Sequence, residues 1–337
     1  MNSSFGDHAN THILCAPSSF KTGKPNNSQR ASIGFPIDAF NLKIGKNMNK
    51  RNHLLGGILS SFILSTNVAH AEMKQLSDDA YIHFSNGYSS LVVVGNDGVL
   101  VVDPAFTDRA RTIKSDISGI TDTKVTHVVL THEHYDHVGG TEVFDGAEIV
   151  CHETCQKIFD LDVLGITPKK VTLPFADNLR IDLGGKIVEL LHMGAGDGVS
   201  TTIVHVPEDK IVATADMSDP FALTRGSFID DRNYLGVRKI LNELSSWNYE
   251  HSITGHSDNT DPDALKANAE FVNDLYDAVK AELDAAMTEG GPGAAYQLLG
   301  GELQTKVKLP KYESWDGYNE HLSRHVWRMG MSILHGG

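Results

Sequence analysis

The chain has 337 residues, with 29 basic and 43 acidic side chains, a formal charge of −14, 17 histidines and three cysteines. The carboxylate excess excludes a nucleic-acid binder that works through a broad basic face, because phosphate contacts need clustered Lys and Arg. Three cysteines are too few for a disulfide scaffold or a four-thiolate zinc knuckle, whereas 40% hydrophobic residues supply an enzyme-sized core.

The charge is unevenly placed. Residues 1–71 carry seven basic and two acidic side chains, which leaves 72–337 at −19. Residues 1–47 are polar, rich in Asn and Ser and without periodicity; they read as a non-native or disordered extension. From Met48 the chain has a basic start (Lys50-Arg51), an apolar run from Leu54 to Leu64 and an Ala-x-Ala end at Ala69-His70-Ala71. That is the pattern of a secretory signal peptide over 48–71, cleaved near Ala71. The apolar run falls far short of the roughly 20 residues of a membrane span. The expectation is a periplasmic or secreted protein with no stable membrane insertion. Its folded part is expected as one domain over 72–290 and a C-terminal helical cap over 291–337, the latter offering a homodimer contact.

Leu91–Val94 and Val99–Val102 flank Gly95-Asn96-Asp97-Gly98, the signature of a β-hairpin. Phe106–Ile120 predicts a helix, and Lys124–Leu130 a buried strand, with another over Ala147–Val150. Lys186–Leu191, Thr201–Val206 and Lys210–Thr214 form a second set of short strands. Asp231–Trp247 has helical spacing. Asp261-Pro262 supplies an N-cap and a first-turn proline for a helix whose stripe of Leu265, Val272, Leu275, Val279 and Leu283 ends at Gly290-Gly291-Pro292. Two β-rich halves with helices outside make an α+β fold. Cys151 and Cys155, read as i and i+4 of one helix, are expected to stay buried thiols, since that spacing separates their Cβ atoms.

The sharpest signal is Thr131-His132-Glu133-His134-Tyr135-Asp136-His137-Val138-Gly139-Gly140, directly after a buried strand. Alternation would point consecutive side chains apart. A tight loop that turns three imidazoles and a carboxylate together needs a positive charge among them, and this donor set suits zinc, iron or manganese.

His132-x-His134-x-Asp136-His137 resembles the H-x-H-x-D-H motif of the metallo-β-lactamase superfamily, and the likeness extends over most of Tyr81–Ala286. The resemblance implies a four-layer αββα sandwich holding two Zn2+ ions, with iron or manganese as alternatives. It implies that His132 and His134 bind the first metal and Asp136 and His137 the second. It further nominates Asp216, after Val206-Pro207-Glu208, as the bridging carboxylate, with Ala215 before it where the family commonly has Gly. His256, in Gly255-His256, is nominated as the last ligand. Where the family has a first-metal His, this chain reads Gly196-Asp197-Gly198. Either Asp197 ligates in its place, which the surrounding glycines favour, or His192 completes the site. The activity implied is a hydrolase acting on a small-molecule ester, lactone, thioester or amide-type bond, with Asp136 and Asp216 orienting the attacking water and passing protons. Two other readings remain open: a mononuclear-iron sulfur dioxygenase-like enzyme, and a metal-binding pseudoenzyme with a degraded first site.

Overall fold

The computed structural model describes residues 73–223 and 233–336. The leader-like segment and the extension before it lie outside the described residues. A seven-stranded sheet runs in chain order through β1 (Lys74–Gln75), β2 (Ala80–Ser85), β3 (Tyr88–Val94), β4 (Val99–Val102), β5 (Val125–Val129), β6 (Glu148–His152) and β7 (Leu173–Phe175). Pairing is antiparallel up to β4 and parallel from there on. The Gly95–Gly98 turn does join an antiparallel pair, with Val94 opposite Val99. The change to parallel pairing follows from α1 (Thr107–Ser118), which carries the chain back over the sheet before β5 begins. Two short helices, α2 (Tyr135–Val138) and α3 (Cys155–Phe159), flank β6 in sequence.

The second sheet, of five strands, is ordered β12-β11-β10-β9-β8, with β8 (Asn178–Asp182), β9 (Ile187–Leu191), β10 (Ile203–Val206), β11 (Ile211–Ala213) and β12 (His251–Ile253). Between β11 and β12 runs α4 (Tyr234–Leu244), capped by the Asn233 side chain on the Gly236 N–H. After β12 come α5 (Pro262–Gly300), α6 (Leu303–Lys306) and α7 (Tyr318–His335). Asp261 caps α5 by accepting from the Asp263 N–H at 2.9 Å. The break foreseen at Gly290-Gly291-Pro292 is a kink at Gly291, whose φ of 70° only glycine adopts freely. The helix resumes beyond it and turns back toward α7.

Strand alternation sorts the apolar residues into four layers. Val99, Val101 and Val128 face outward onto Ala110, Ile113 and Ile117 of α1. Leu100, Val102 and Val129 face inward and meet Val188, Leu190, Val204 and Ile211 of the opposing sheet. Ile203 and Val212 face the other way, onto a cluster built by α4, α5 and α7. The result is the αββα sandwich. Among the described residues no helix is long and apolar enough to cross a membrane.

The expectation of two free thiols is corrected. Cys151 lies on β6 and Cys155 opens α3, so their four-residue spacing spans a strand-to-helix turn instead of one helix. The Cα atoms come to 6.2 Å and the sulfurs are bonded. Five strands were also missed: β1, β2, β7, β8 and β12. All but β2 and β8 are three residues or fewer, and β8 mixes Asn178, Arg180 and Asp182 with its two apolar residues.

Candidate metal centre

β5 ends in the core, and the chain leaves it through Thr131 into the histidine loop. Asp103, just past β4, fixes that exit. Its carboxylate accepts from the Thr131 N–H at 2.8 Å and the Thr131 hydroxyl at 2.6 Å. Asp103 sits at φ 48° and Ala105 at φ 68°, left-handed conformations that cost non-glycine residues about 1–3 kcal/mol each. Arg109 of α1 over-determines this turn. Its guanidinium is 2% exposed and donates to the carbonyls of His83, Tyr88 and Pro104 and to Ser90 Oγ. Burial lowers its pKa to about 10 against the opposing pull of Asp103.

Held in this way, His132 points inward and α2 turns Asp136 and His137 toward the same end of the sandwich. The loop before β10 brings up Asp197, whose Oδ2 lies 3.1 Å from His134 Nδ1 and 3.4 Å from His132 Nε2. The turn after β11 presents Asp216, 3.1 Å from both His137 Nε2 and His256 Nε2. Asp136 stands 3.6 Å from each of these two nitrogens. His256 is steered by its Nδ1, 2.9 Å from the Gly87 carbonyl. The seven nominated side chains therefore gather in two adjacent groups, His132/His134/Asp197 and Asp136/His137/Asp216/His256, the donor atoms of each within 4.8 Å of one another. His192 joins neither group among the described residues. Its ring stacks on His152 at 3.8 Å, and its Nδ1 faces the Thr201 carbonyl at 2.9 Å.

Two glycines are explained by this packing. A Cβ on Gly255 would lie 1.8 Å from Asp216 Oδ1, and one on Gly198 would lie 2.4 Å from Glu133 Oε2. Glu133 is a buried acid whose positioning contacts the sequence reading passed over. Its carboxylate takes the N–H groups of Val199 and Ser200 at 2.8 and 3.0 Å and the Ser200 hydroxyl, and so pins the loop carrying Asp197. Asp103 was likewise read only as the end of a strand.

The electrostatics show what the donor groups lack. Burial, with His137 and His134 nearby, lowers the pKa of His132 to about 4, so it stays neutral. Burial also opposes charge on His137, but Asp216 and then Asp103 outweigh it and hold its pKa well above the usual value. His134 is raised against burial by Asp197. Two buried nitrogens, His132 Nε2 and His137 Nδ1, make no well-formed hydrogen bond among the described residues, each standing 3.4 Å from a carboxylate, of Asp197 and of Asp103. Buried polar atoms of this kind cost free energy unless something satisfies them. Neutral imidazoles interleaved with carboxylates fit one or two divalent cations, which would replace the protons that Asp216 and Asp197 now draw to the histidines.

Fold and site together define an αββα sandwich with a cluster of His and Asp side chains that could hold divalent metal. The family model for the metallo-beta-lactamase superfamily matches residues 84–256, just over half of the chain, and the chain belongs to this superfamily. It is 24% identical over 217 residues to the 2,4-dinitroanisole O-demethylase subunit beta of Nocardioides sp. (strain JS1661), a match covering 63% of this chain and 66% of that one, just under two-thirds of its length. It is 21% identical over 225 residues to the metallo-beta-lactamase type 2 of Elizabethkingia meningoseptica, covering 62% of this chain and 88% of the relative. A solved metallo-beta-lactamase from Pontibacter korlensis superposes with a TM-score of 0.52 at 19% identity, covering 60% of this chain and 98% of that structure, a likeness of fold.

Proposed function

We propose that the chain is an exported hydrolase that works with two divalent metal ions, zinc foremost, and cleaves an ester, lactone, thioester or amide-type bond of a small molecule. The observation that carries this reading is the convergence of seven nitrogen and carboxylate donors, from four separate stretches of chain, into two adjacent groups. His132, His134 and Asp197 would hold one ion, and Asp136, His137, Asp216 and His256 the other. When bound, such ions would supply Lewis acidity and a water acidic enough to attack at neutral pH.

The protein's own contribution is positioning and proton handling. Asp216 is 1% exposed and wedged between two imidazoles, so it fixes ligand geometry. Asp136 is more open, with a side chain 26% exposed, and the carboxylate oxygen not engaged in the second donor group can accept a proton from the attacking water and pass it to solvent. Asp197 puts an anion where the family has a neutral imidazole. The extra negative charge would weaken the Lewis acidity of an ion held there and should move the pH optimum upward.

Export rests on the basic start, apolar run and Ala-x-Ala end of residues 48–71; N-terminal sequencing of protein recovered from the periplasm should begin near residue 72. The activity is tested by assaying metal-loaded protein against a panel of esters, lactones, thioesters and a β-lactam, beside Asp136→Asn. Turnover that falls at least a hundredfold in the variant supports the reading. Oxygen uptake on a thiol substrate with no turnover across the panel overturns it.

A further inference from the structure

His137 and His256, the two imidazoles of the second group, are each held by main chain from outside it. His256 leans on the β2–β3 hairpin. Its Nδ1 lies 2.9 Å from the Gly87 carbonyl, the Ser89 N–H donates to the Gly255 carbonyl at 2.9 Å, and the Ser89 hydroxyl donates to the Ser257 carbonyl. His137 leans on the turn after β4. The Ala105 N–H donates to the His137 carbonyl at 3.0 Å, and Asp103 Oδ2 stands 3.4 Å from His137 Nδ1. The two supports belong to different parts of the sheet, yet the two Nε2 atoms lie 3.1 Å apart and each is 3.1 Å from Asp216.

One side chain joins the supports. The Arg109 guanidinium reaches the hairpin with Nη2, which donates to the carbonyls of Tyr88 at 2.7 Å and His83 at 3.0 Å. Its Nη1 donates to Ser90 Oγ at 2.7 Å and, at longer range, to the Pro104 and Asp103 carbonyls at 3.3 and 3.4 Å. Ser90 extends that arm, since its hydroxyl donates to the Asp103 carbonyl at 2.6 Å. Every acceptor is a carbonyl or a hydroxyl, so the cation is buried with no carboxylate in contact among the described residues. Burying a charge in this way is costly, and an apolar side chain would pack α1 on the sheet at less cost. The turn under Nη1 is itself left-handed at Asp103 and Ala105, a conformation that persists only where the surroundings impose it.

We propose that Arg109 is a positioning residue of the second donor group. Its planar fork fixes the hairpin against the Asp103–Ala105 turn, and so fixes His256 against His137. It acts through main chain and Ser90. The Asp197 loop of the first group has a separate tie, the Glu133 carboxylate. That the two imidazoles hold an ion rests on the metal-centre reading; the tie between them rests on the hydrogen bonds alone. A lysine would keep the charge but present a single nitrogen, which cannot serve both arms of the fork.

The test is Arg109→Lys beside Ile113→Ala, a control that opens a cavity under the same helix and leaves both arms in place. Each is made in a chain carrying His134→Ala with Asp197→Asn, where only the second group remains. Each is also made in a chain carrying Asp216→Asn with His256→Ala, where only the first does. Titration of Zn2+ against a competing chelator reads the affinity. Arg109→Lys should weaken the second group about 10–100-fold and the first by clearly less, and Ile113→Ala should not reproduce that difference. Equal losses in the two groups, or a loss no larger than the control's, overturn the proposal. Hydrogen exchange on the metal-free chain gives a second readout. The Ser89 and Ala105 amides should exchange faster in Arg109→Lys, measured against the core-strand amides of the same protein. Unchanged exchange at either amide overturns the proposal, whether or not zinc binds. If the lysine variant does not fold, Ser90→Ala, which removes the nearest acceptor of Nη1, should loosen Ala105 in the same way. A parent that takes up no Zn2+ while both amides loosen in the variant removes the metal-centre reading and keeps the tie.

Discussion

Replacing Glu133 with Gln should weaken both the fold and the first metal group, although Glu133 touches no metal in the proposed scheme. Its carboxylate is 9% exposed and receives two backbone N–H groups and a hydroxyl from Val199 and Ser200. Hydrogen bonds to a charged acceptor contribute about 1.5–3 kcal/mol each, and a buried N–H left without a partner costs about 1–3 kcal/mol. Gln keeps one acceptor oxygen and turns an NH2 toward the other donors, so the net loss should be about 2–4 kcal/mol, or roughly 4–15 °C in Tm. Burial works against the charged form of Glu133, yet the Ser200 hydroxyl and the two amides overcome it and depress the pKa below the ordinary 4.5. A carboxylate with a lowered folded-state pKa stabilises fully above its unfolded value and loses that contribution as pH falls through the folded one. The gap between parent and variant should therefore stay open from neutrality past pH 4.5 and close only below it. Denaturant unfolding of the metal-free proteins across that range measures this. A gap under about 0.5 kcal/mol at neutral pH, or one that does not close in acid, would refute the reasoning.

Further consequences can be measured in parallel. Gly255→Ala should displace Asp216, which a Cβ would approach to 1.8 Å, and metal affinity should drop about 10–100-fold as when a supporting contact is removed; equilibrium dialysis reads it. His192→Ala should leave metal content unchanged, because the ring stacks on His152 away from both groups; loss of an ion on elemental analysis would instead make His192 a ligand. His83 is held near pKa 4 by burial and then by Arg109, against 6.5 when unfolded. The unfolded chain therefore takes up the proton first, and stability should fall as pH drops from 6.5 to 4, by at most about 3 kcal/mol. His83→Gln should begin less stable and fall less steeply over that window, as denaturant midpoints would show.

How much of this was legible beforehand depended on how local the signal was. The Asn96-Asp97 hairpin and the Asp261-Pro262 start of α5 reside in short stretches, and the structure shows both; the four layers were implied by the family resemblance. The ligand motif was visible because four donors fall within six residues. Asp197 against His192 was not decidable from sequence, since both lie near the same glycines; what separates them is a stacking partner, His152, that is forty residues away and on another sheet. Glu133 escaped notice because its partners are the amides of residues 199 and 200, which no sequence pattern marks. The disulfide was misjudged because Cys151 was put on a helix. Once β6 is known to end at His152, a strand-to-helix turn brings the sulfurs together.

The central claim is that the two groups of donors hold divalent cations in separate places. Elemental analysis of the purified protein, beside a variant carrying His134→Ala with Asp197→Asn and another carrying Asp216→Asn with His256→Ala, addresses it directly. About two metal ions per chain in the parent, with one lost in the first variant and the other retained, is the predicted result. Metal content in the parent no higher than in a variant lacking both groups would contradict it.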